Sequence, residues 1–291
     1  MSGASVAGAR ESGAALLVAL AIVAVAAGLA VAMSAGAGRD VERTRALFQS
    51  EQSWQLARGL DGLAREWIRA NREAGRADTA LDGRWSAPFA VPGGQVAGRV
   101  FIVDGRLNLN ALASRRPEVA AWGRASLARL LASLNLDARL APGIENFVRR
   151  AAADGGPGLV HVTELAGLPE LPGAAREALI PHVAALPHPD ARLNVNAATP
   201  HALAAAVDGL TVSGAAALLA RTPYEDLDAL MGRPEMSRLD ARRARERLGV
   251  RAEWFLGQAR VTLDGVPRDH FRLIGQAGAG YDFRYVSQGV P

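Results

Sequence analysis

The sequence predicts an α+β protein in which a long N-terminal helix packs on a small antiparallel sheet, and a large all-α domain is inserted between the strands. Residues 14–33 form a run of 20 residues without a charge. Short alternating segments typical of strands lie near residues 89–103 and again between 255 and 287. Between them, from 111 to about 250, alanine and leucine recur with helical spacing. Strands on both sides of a helical block indicate one sheet interrupted by an insert.

The composition excludes several kinds of chemistry. The chain has 291 residues and no cysteine, so disulfides, thiolate nucleophiles and thiolate zinc sites are excluded. All 33 basic residues are arginine, which also excludes the lysine of a phosphate-binding loop. A formal net charge of +4 is small for this length and is weak evidence for nucleic-acid binding.

The uncharged run from residue 14 to residue 33 is long enough to cross a membrane. As a helix it would extend about 30 Å, close to the hydrocarbon thickness of a bilayer. The apolar core of a cleaved secretory signal is usually shorter, about 7–15 residues. A plain signal anchor and a leader cut between Gly13 and Ala14, before the apolar run, both remain open.

Helical rhythm continues beyond the membrane segment, over residues 39–75. Apolar side chains recur on roughly one face, and arginines occupy the others. We expect that face to pack on the protein's own sheet; the alternative is a stripe that binds a partner, and the two can hold along different parts of the helix. Its predicted members are Leu47, Trp54, Leu60, Ala64 and Trp67.

The pattern predicts short strands on either side of the insert and helices within it. The predicted strands are 89–91, 95–103, 255–263, 270–275 and 281–287, with a turn at Val266–Arg268. The predicted helices are 117–134, 141–153, 162–168, 173–186, 199–207, 213–221, 224–232 and 237–248.

A short motif occurs twice in the insert. The sequence Leu-Asn-Leu-Asn-Ala begins at Leu107, and Leu-Asn-Val-Asn-Ala begins at Leu193. We interpret the asparagines as helix caps. The alternative is a helix-hairpin-helix DNA-binding motif whose hairpin would begin at Asp208, but this hairpin lacks the usual second glycine and Asp208 would repel phosphate.

No arrangement of residues indicates catalysis. The histidines show no metal-ligand spacing; they are His161, His182, His188, His201 and His270. A Gly-x-Ser-x-Gly nucleophile elbow is absent. The acidic run from Glu225 to Asp228 suits the first turn of a helix, where carboxylates interact favourably with the helix dipole.

Several segments together resemble a known family. A polar leader ending in Gly13, followed by Ala-Leu-Leu-Val-Ala-Leu-Ala-Ile-Val, resembles the N-termini of type IV pilins and type II secretion pseudopilins. The segments Val103-Asp-Gly-Arg-Leu-Asn-Leu-Asn-Ala-Leu, Val162-Thr-Glu-Leu, Leu193-Asn-Val-Asn-Ala-Ala-Thr-Pro and Trp254-Phe-Leu occur in the order found in the minor pseudopilin K family of type II secretion systems. The chain therefore resembles that family over nearly its whole length.

The resemblance implies processing by a prepilin peptidase, which would cut after Gly13 and N-methylate Ala14. Most relatives of this superfamily carry glutamate at the fifth mature position, where this chain has Val18. A carboxylate in an apolar environment is costly unless it is paired, and in the family it is thought to pair with the amine of the subunit assembled before it. A subunit with valine there needs no such predecessor, which suits the first subunit of a fibre.

The implied domain scheme is a prepilin-type leader at 1–13, a transmembrane helix at 14–33, and a pilin-like domain split by an inserted α-domain. The first part of the pilin-like domain would cover 34–107, the insert 108–250 and the C-terminal strands 251–291. The protein would span the bacterial inner membrane once, with its C-terminal domain in the periplasm.

The implied role is a minor pseudopilin at the pseudopilus tip that primes assembly and supports protein export, without enzymatic activity. The minor pseudopilins I and J would be its partners, with H, the major pseudopilin and exported proteins as further candidates; no nucleic acid is expected. Calcium is associated with the family's insert, but its ligands stay unassigned here because Asp137, Glu145 and Asp154 are scattered in the sequence. The alternatives are a membrane-anchored helix-hairpin-helix DNA-binding protein and a minor pilin of a type IV pilus.

Overall fold

The computed structural model describes residues 27, 43–73, 81, 83–153, 155–156, 158–237, 239–277 and 280–288. The chain divides into two compact units, residues 1–54 and residues 55–291. Among the residues that the structure describes, no helix combines the length and the apolarity needed to span a bilayer. The predicted membrane segment, 14–33, lies outside the described residues except for residue 27.

The first described helix, α1, covers residues 43–73 and crosses the boundary between the two units. In the first unit, the side chains of Leu47 and Phe48 are 65% and 73% exposed, so the prediction that Leu47 belongs to a packed face is wrong. In the second unit, Ala57, Ala64 and Ile68 are buried. These three lie seven and four residues apart, which is the spacing of one helical face.

The second unit contains a five-stranded sheet in the order β1-β2-β7-β8-β9, with every neighbouring pair antiparallel. Its strands are β1 (Phe89–Val91), β2 (Gly94–Ile102), β7 (Trp254–Leu263), β8 (Val266–Ala277) and β9 (Gly280–Gln288). The C-terminal part of α1 covers one face, where Ile68 packs with Val100 and Phe255. On the opposite face, Trp254 and Leu256 pack with Leu186 from the segment between β2 and β7.

The turn between β7 and β8 differs from the prediction. The sequence suggested a turn at Val266–Arg268, but Leu263 pairs with Val266 and the turn is formed by Asp264 and Gly265. Both turn residues have positive φ, 49° and 79°. A two-residue Asp-Gly loop with this conformation matches the twist of an antiparallel hairpin, so the strand begins earlier than the proline suggested.

The segment between β2 and β7, here called the insert, contains seven α-helices among its described residues. They are α2 (Pro117–Ser133), α3 (Leu140–Ala151), α4 (Gly173–Leu179), α5 (Pro200–Ala206), α6 (Val212–Leu219), α7 (Leu227–Met231) and α8 (Ala241–Arg247). The predicted helix at 162–168 is a 3₁₀ helix, Val162–Gly167. The predicted helix at 224–232 begins only at Leu227, because the Asp226 carboxylate caps it by accepting the N–H of Ala229 at 2.8 Å.

The insert is not wholly helical, which corrects the prediction of an all-α domain. Two parallel strand pairs hold it: β3 (Leu107–Asn108) with β4 (Val183–Ala184), and β5 (Leu193–Asn194) with β6 (Leu248–Gly249). Each strand has only two residues, too few for a detectable alternation. The chain from β3 to β4 supplies most of one hydrophobic core, and the chain from β5 to β6 supplies a second core. The insert therefore has two halves.

Candidate functional site: the joint between sheet and insert

The residues predicted to mark the leader, Gly13, Ala14 and Val18, lie outside the described residues. Within the described residues, the feature most specific to this fold is the joint at which the chain leaves β2, builds the insert and returns to β7. Val103 donates its N–H to the carbonyl oxygen of Trp254 at 3.1 Å, so the two ends of the insert lie side by side.

Asp104 is the central residue of this joint and is 2% exposed. Its Oδ2 accepts the backbone N–H groups of Glu253 at 2.6 Å and Trp254 at 3.3 Å. Its backbone carbonyl accepts the N–H of Asn194 at 2.8 Å. One residue therefore connects the end of β2, the start of β7 and the second half of the insert.

The environment of Asp104 makes its carboxyl group titrate near neutral pH. Burial disfavours the charged form and raises the pKa of Asp104 to about 7, although the backbone N–H groups of Glu253 and Trp254 and the side chain of Asn194 lower that pKa. The nearby charge of Glu253 raises it further.

Gly105 permits a close approach at the same joint. A Cβ atom at this position would lie 2.1 Å from the backbone oxygen of Ala197, which is closer than such atoms can come. Only glycine therefore lets the segment after β2 pass against the 3₁₀ turn that follows β5. No local pattern in the sequence indicates this long-range contact.

In the first half of the insert, Asn110 links three segments. Its Nδ2 donates to the carbonyl oxygens of Leu159 and Leu186, both at 2.9 Å, and its Oδ1 accepts the N–H of Leu159 at 2.8 Å. Asn110 is fully buried. We call this arrangement the first asparagine bridge.

The second half of the insert repeats the arrangement around Asn196. Its Nδ2 donates to the carbonyl oxygens of Tyr224 at 2.9 Å and Val250 at 2.8 Å, and its Oδ1 accepts the N–H of Tyr224 at 2.7 Å. We call this the second asparagine bridge. In each half, the asparagine two positions before the bridge residue caps the 3₁₀ turn. Its Oδ1 accepts the N–H of the bridge residue at 3.1 Å in both cases.

The capping interpretation of the repeated motif is therefore correct for Asn108 and Asn194 but incomplete. The second asparagine of each copy closes a half of the insert on itself, and both halves share the order strand, 3₁₀ turn, helices and closing parallel strand. The two motif copies thus belong to a structural repeat that stabilises the insert.

The hairpin of the DNA-binding alternative uses its polar groups internally. Asp208 forms an ion pair with Arg129 from α2 at 3.3 Å. The Thr211 hydroxyl accepts the N–H of Gly214 at 3.0 Å and so caps α6. The hairpin carries a carboxylate, which repels a phosphate. An amide at the N-terminus of α6, which could otherwise bind a phosphate, is already bonded to a side chain.

Three histidines of the insert form hydrogen bonds with hydroxyl groups through Nδ1. His161 bonds to Thr163 at 2.8 Å, His182 to Thr199 at 2.8 Å and His201 to Ser133 at 3.1 Å. Burial lowers the pKa of His161 and His182, and for His182 the neighbouring His201 lowers it further. These contacts between imidazole and hydroxyl groups serve the packing of the insert.

The described residues do not fit a calcium site. Asp137 pairs with Arg139, two residues further along the chain, at 2.7 Å, and Glu145 pairs with Arg124 and Arg149. Asp154 lies outside the described residues. No group of three or more histidine, aspartate or glutamate side chains among the described residues is placed to hold a metal ion. A hard cation needs several oxygen ligands together.

The fold and the joint define a class: a helix-and-sheet domain whose antiparallel sheet is interrupted by an α-rich insert. Comparisons with known proteins agree with this class. The family model described as type II secretion system (T2SS), protein K, matches residues 193–251, the stretch that begins at the second motif copy and ends next to the second asparagine bridge.

A curated relative covers far more of the chain. The type II secretion system protein K of Klebsiella pneumoniae is 26% identical over 305 aligned residues, which cover 92% of this chain and 94% of that protein. A solved chain in the crystal structure of the GspK–GspI–GspJ complex from the enterotoxigenic Escherichia coli type 2 secretion system shares the fold. It has a TM-score of 0.66 and 20% identity, and the match covers 86% of this chain and 100% of that one. The resemblance to the protein K family predicted from the sequence is confirmed.

Proposed function

We propose that this chain is a minor pseudopilin of a type II secretion system that sits at the tip of the pseudopilus with the minor pseudopilins I and J. The observation that carries the proposal is the similarity to protein K over 92% of the chain, which includes the insert as well as the sheet. The solved complex of GspK with GspI and GspJ supports the choice of partners. The role is structural: it primes assembly and supports export.

The architecture supports a position at the tip. The insert leaves and re-enters the sheet between two hydrogen-bonded strands, since Ile102 of β2 pairs with Phe255 of β7. A two-half domain at that point adds bulk beside the sheet. In a tightly packed helical shaft every subunit has neighbours above and below, so such bulk would clash there and fits best at a free end.

The N-terminus would anchor the subunit until it is assembled. The uncharged run 14–33 is long enough to span the inner membrane once, which would place the pilin-like domain in the periplasm. Val18 at the fifth mature position supports the role of a first subunit, because a valine there needs no pairing group from a subunit assembled earlier.

Co-purification tests the tip assignment. We expect the tagged full chain, expressed at native level in its own cells, to co-purify with the minor pseudopilins I and J of the same secretion system. The same tag on the major pseudopilin, in cells that lack this chain, is the control and should recover far less of I and J. Recovery of type IV pilus subunits in place of I and J would contradict the proposal.

Mass spectrometry of the mature protein tests the leader. We expect the N-terminal peptide to begin at Ala14 and to carry one methyl group on its amine. A Gly13→Leu variant should keep its leader, because the peptidase needs the glycine, whereas Gly8→Leu in the same leader should be processed normally. A native N-terminus beyond Ala32 would instead indicate an ordinary secretory signal.

A further inference from the structure

An open groove of about 450 Å³ lies on the first half of the insert, between the start of α2 and the end of α3. We call it the arginine groove. Arg115, Arg124 and Arg149 are its charged lining residues, and small side chains, among them Ala113, Ala120 and Ala152, also line it.

The charges of the groove are not balanced within the described residues. Glu145, which does not line the groove, is 3.2 Å from Arg124 and 3.6 Å from Arg149, so one carboxylate serves two guanidinium groups. Arg115 is exposed and, among the described residues, has no ion-pair or side-chain hydrogen-bond partner. No carboxylate is among the described residues that line the groove. Among the described residues, three guanidinium groups at the groove therefore meet one carboxylate, and such an excess of positive charge attracts carboxylates.

The shape of the groove favours a polypeptide. Alanine side chains let another backbone approach closely, while guanidinium groups can pair with carboxylates in a bidentate manner. A nucleic acid needs a longer basic track for its phosphates. Here the basic surface is interrupted, because Glu118 and Asp190 both pair with Arg116 immediately beside the groove.

We propose that the arginine groove binds an acidic segment of another polypeptide, whose carboxylates pair with Arg115, Arg124 and Arg149. The occupant lies against the alanine side chains of the groove, where its carboxylates can reach the lining arginines. This site goes beyond the proposed tip role and is tested on the purified chain alone, so either proposal can fail without the other.

The experiment is a titration of the purified full chain, in a neutral detergent, with a short fluorescent peptide of alternating glutamate and alanine. The test variant is Arg115→Gln/Arg149→Gln. The matched control is Arg150→Gln/Arg251→Gln, which removes the same charge from exposed positions outside the groove, one of them the next residue of α3.

We expect the peptide to bind at low salt and the test variant to bind it about fivefold to tenfold more weakly, because each exposed ion pair contributes modestly. The control variant should bind like the unmodified chain, and added salt should weaken binding of all forms. Circular dichroism establishes that both variants fold like the parent.

Three results would overturn the proposal. The first is no binding of the peptide at low salt. The second is an equal loss in the test and control variants, which would show attraction to net charge alone. The third is preferential binding of a single-stranded oligonucleotide over the glutamate peptide at matched salt, which would assign the groove to phosphate.

Discussion

Replacement of Asn110 by alanine is expected to lower the free energy of unfolding by about 3–5 kcal/mol. The side chain is fully buried and makes three hydrogen bonds, with the N–H and C=O of Leu159 and the C=O of Leu186. Alanine would leave these backbone groups buried without a partner, and each such group costs roughly 1–3 kcal/mol. Gly158 lies directly against Asn110 Oδ1, so the loop that contains Gly158 packs closely on the asparagine side chain.

Urea unfolding followed by tryptophan fluorescence measures the effect, since Trp122 on α2 contacts both cores of the insert. Asn196→Ala is the matched control. It breaks the equivalent three bonds, but Asn196 is only half-buried, so water can replace part of what is lost. Its loss should be smaller, about 1–3 kcal/mol. The assigned difference in burial would be contradicted if both variants lost the same free energy of unfolding, or if Asn110→Ala lost less than Asn196→Ala.

The longer helices and the interrupted sheet could be predicted from the sequence because they depend on local periodicity, whereas the helix predicted at 173–186 ends at Leu179 and gives way to a 3₁₀ turn and β4. Alanine and leucine at helical spacing gave the spans of α2 and α3 to within two residues. The capping role of Asn108 and Asn194 was also visible, since a cap bonds within two residues. Such short-range signals survive without knowledge of the tertiary structure.

The long-range contacts could not be predicted in this way. Asn110 bonds to residues 49 and 76 positions away, and no local pattern distinguishes such an asparagine from a second cap. The two-residue parallel strands are set by the same closure and have no periodicity of their own. The groove beside Arg149 depends on the placement of α2 beside α3, which no local pattern indicates.

Asp104→Asn is expected to change how the stability of the protein depends on pH. The folded-state pKa of Asp104 is about 7, against 3.8 for an ordinary aspartate side chain, because the group is buried. Below about pH 4 both states hold the proton, so the protonated carboxyl contributes its full stability there. Between about pH 4 and pH 7 the unfolded chain has released the proton and the folded chain retains it. Stability is therefore lost as the pH rises, by up to about 1.4 kcal/mol per pH unit and about 4 kcal/mol in total.

Asparagine does not titrate, so the variant loses this pH dependence. In the parent, Asp104 Oδ2 accepts the N–H groups of Glu253 and Trp254, and the amide oxygen of asparagine can accept the same two groups. Relative to the parent, the variant should therefore gain about 4 kcal/mol in the free energy of unfolding between pH 4 and pH 8, whatever its absolute stability. Urea unfolding at a series of pH values measures the difference. Asp208→Asn, at a carboxylate that is 80% exposed, is the control and should follow the parent curve. If the Asp104→Asn curve also runs parallel to the parent over this window, then Asp104 is already ionised in the folded joint. In that case the hydrogen bonds from residues 253 and 254 outweigh the cost of burying its charge.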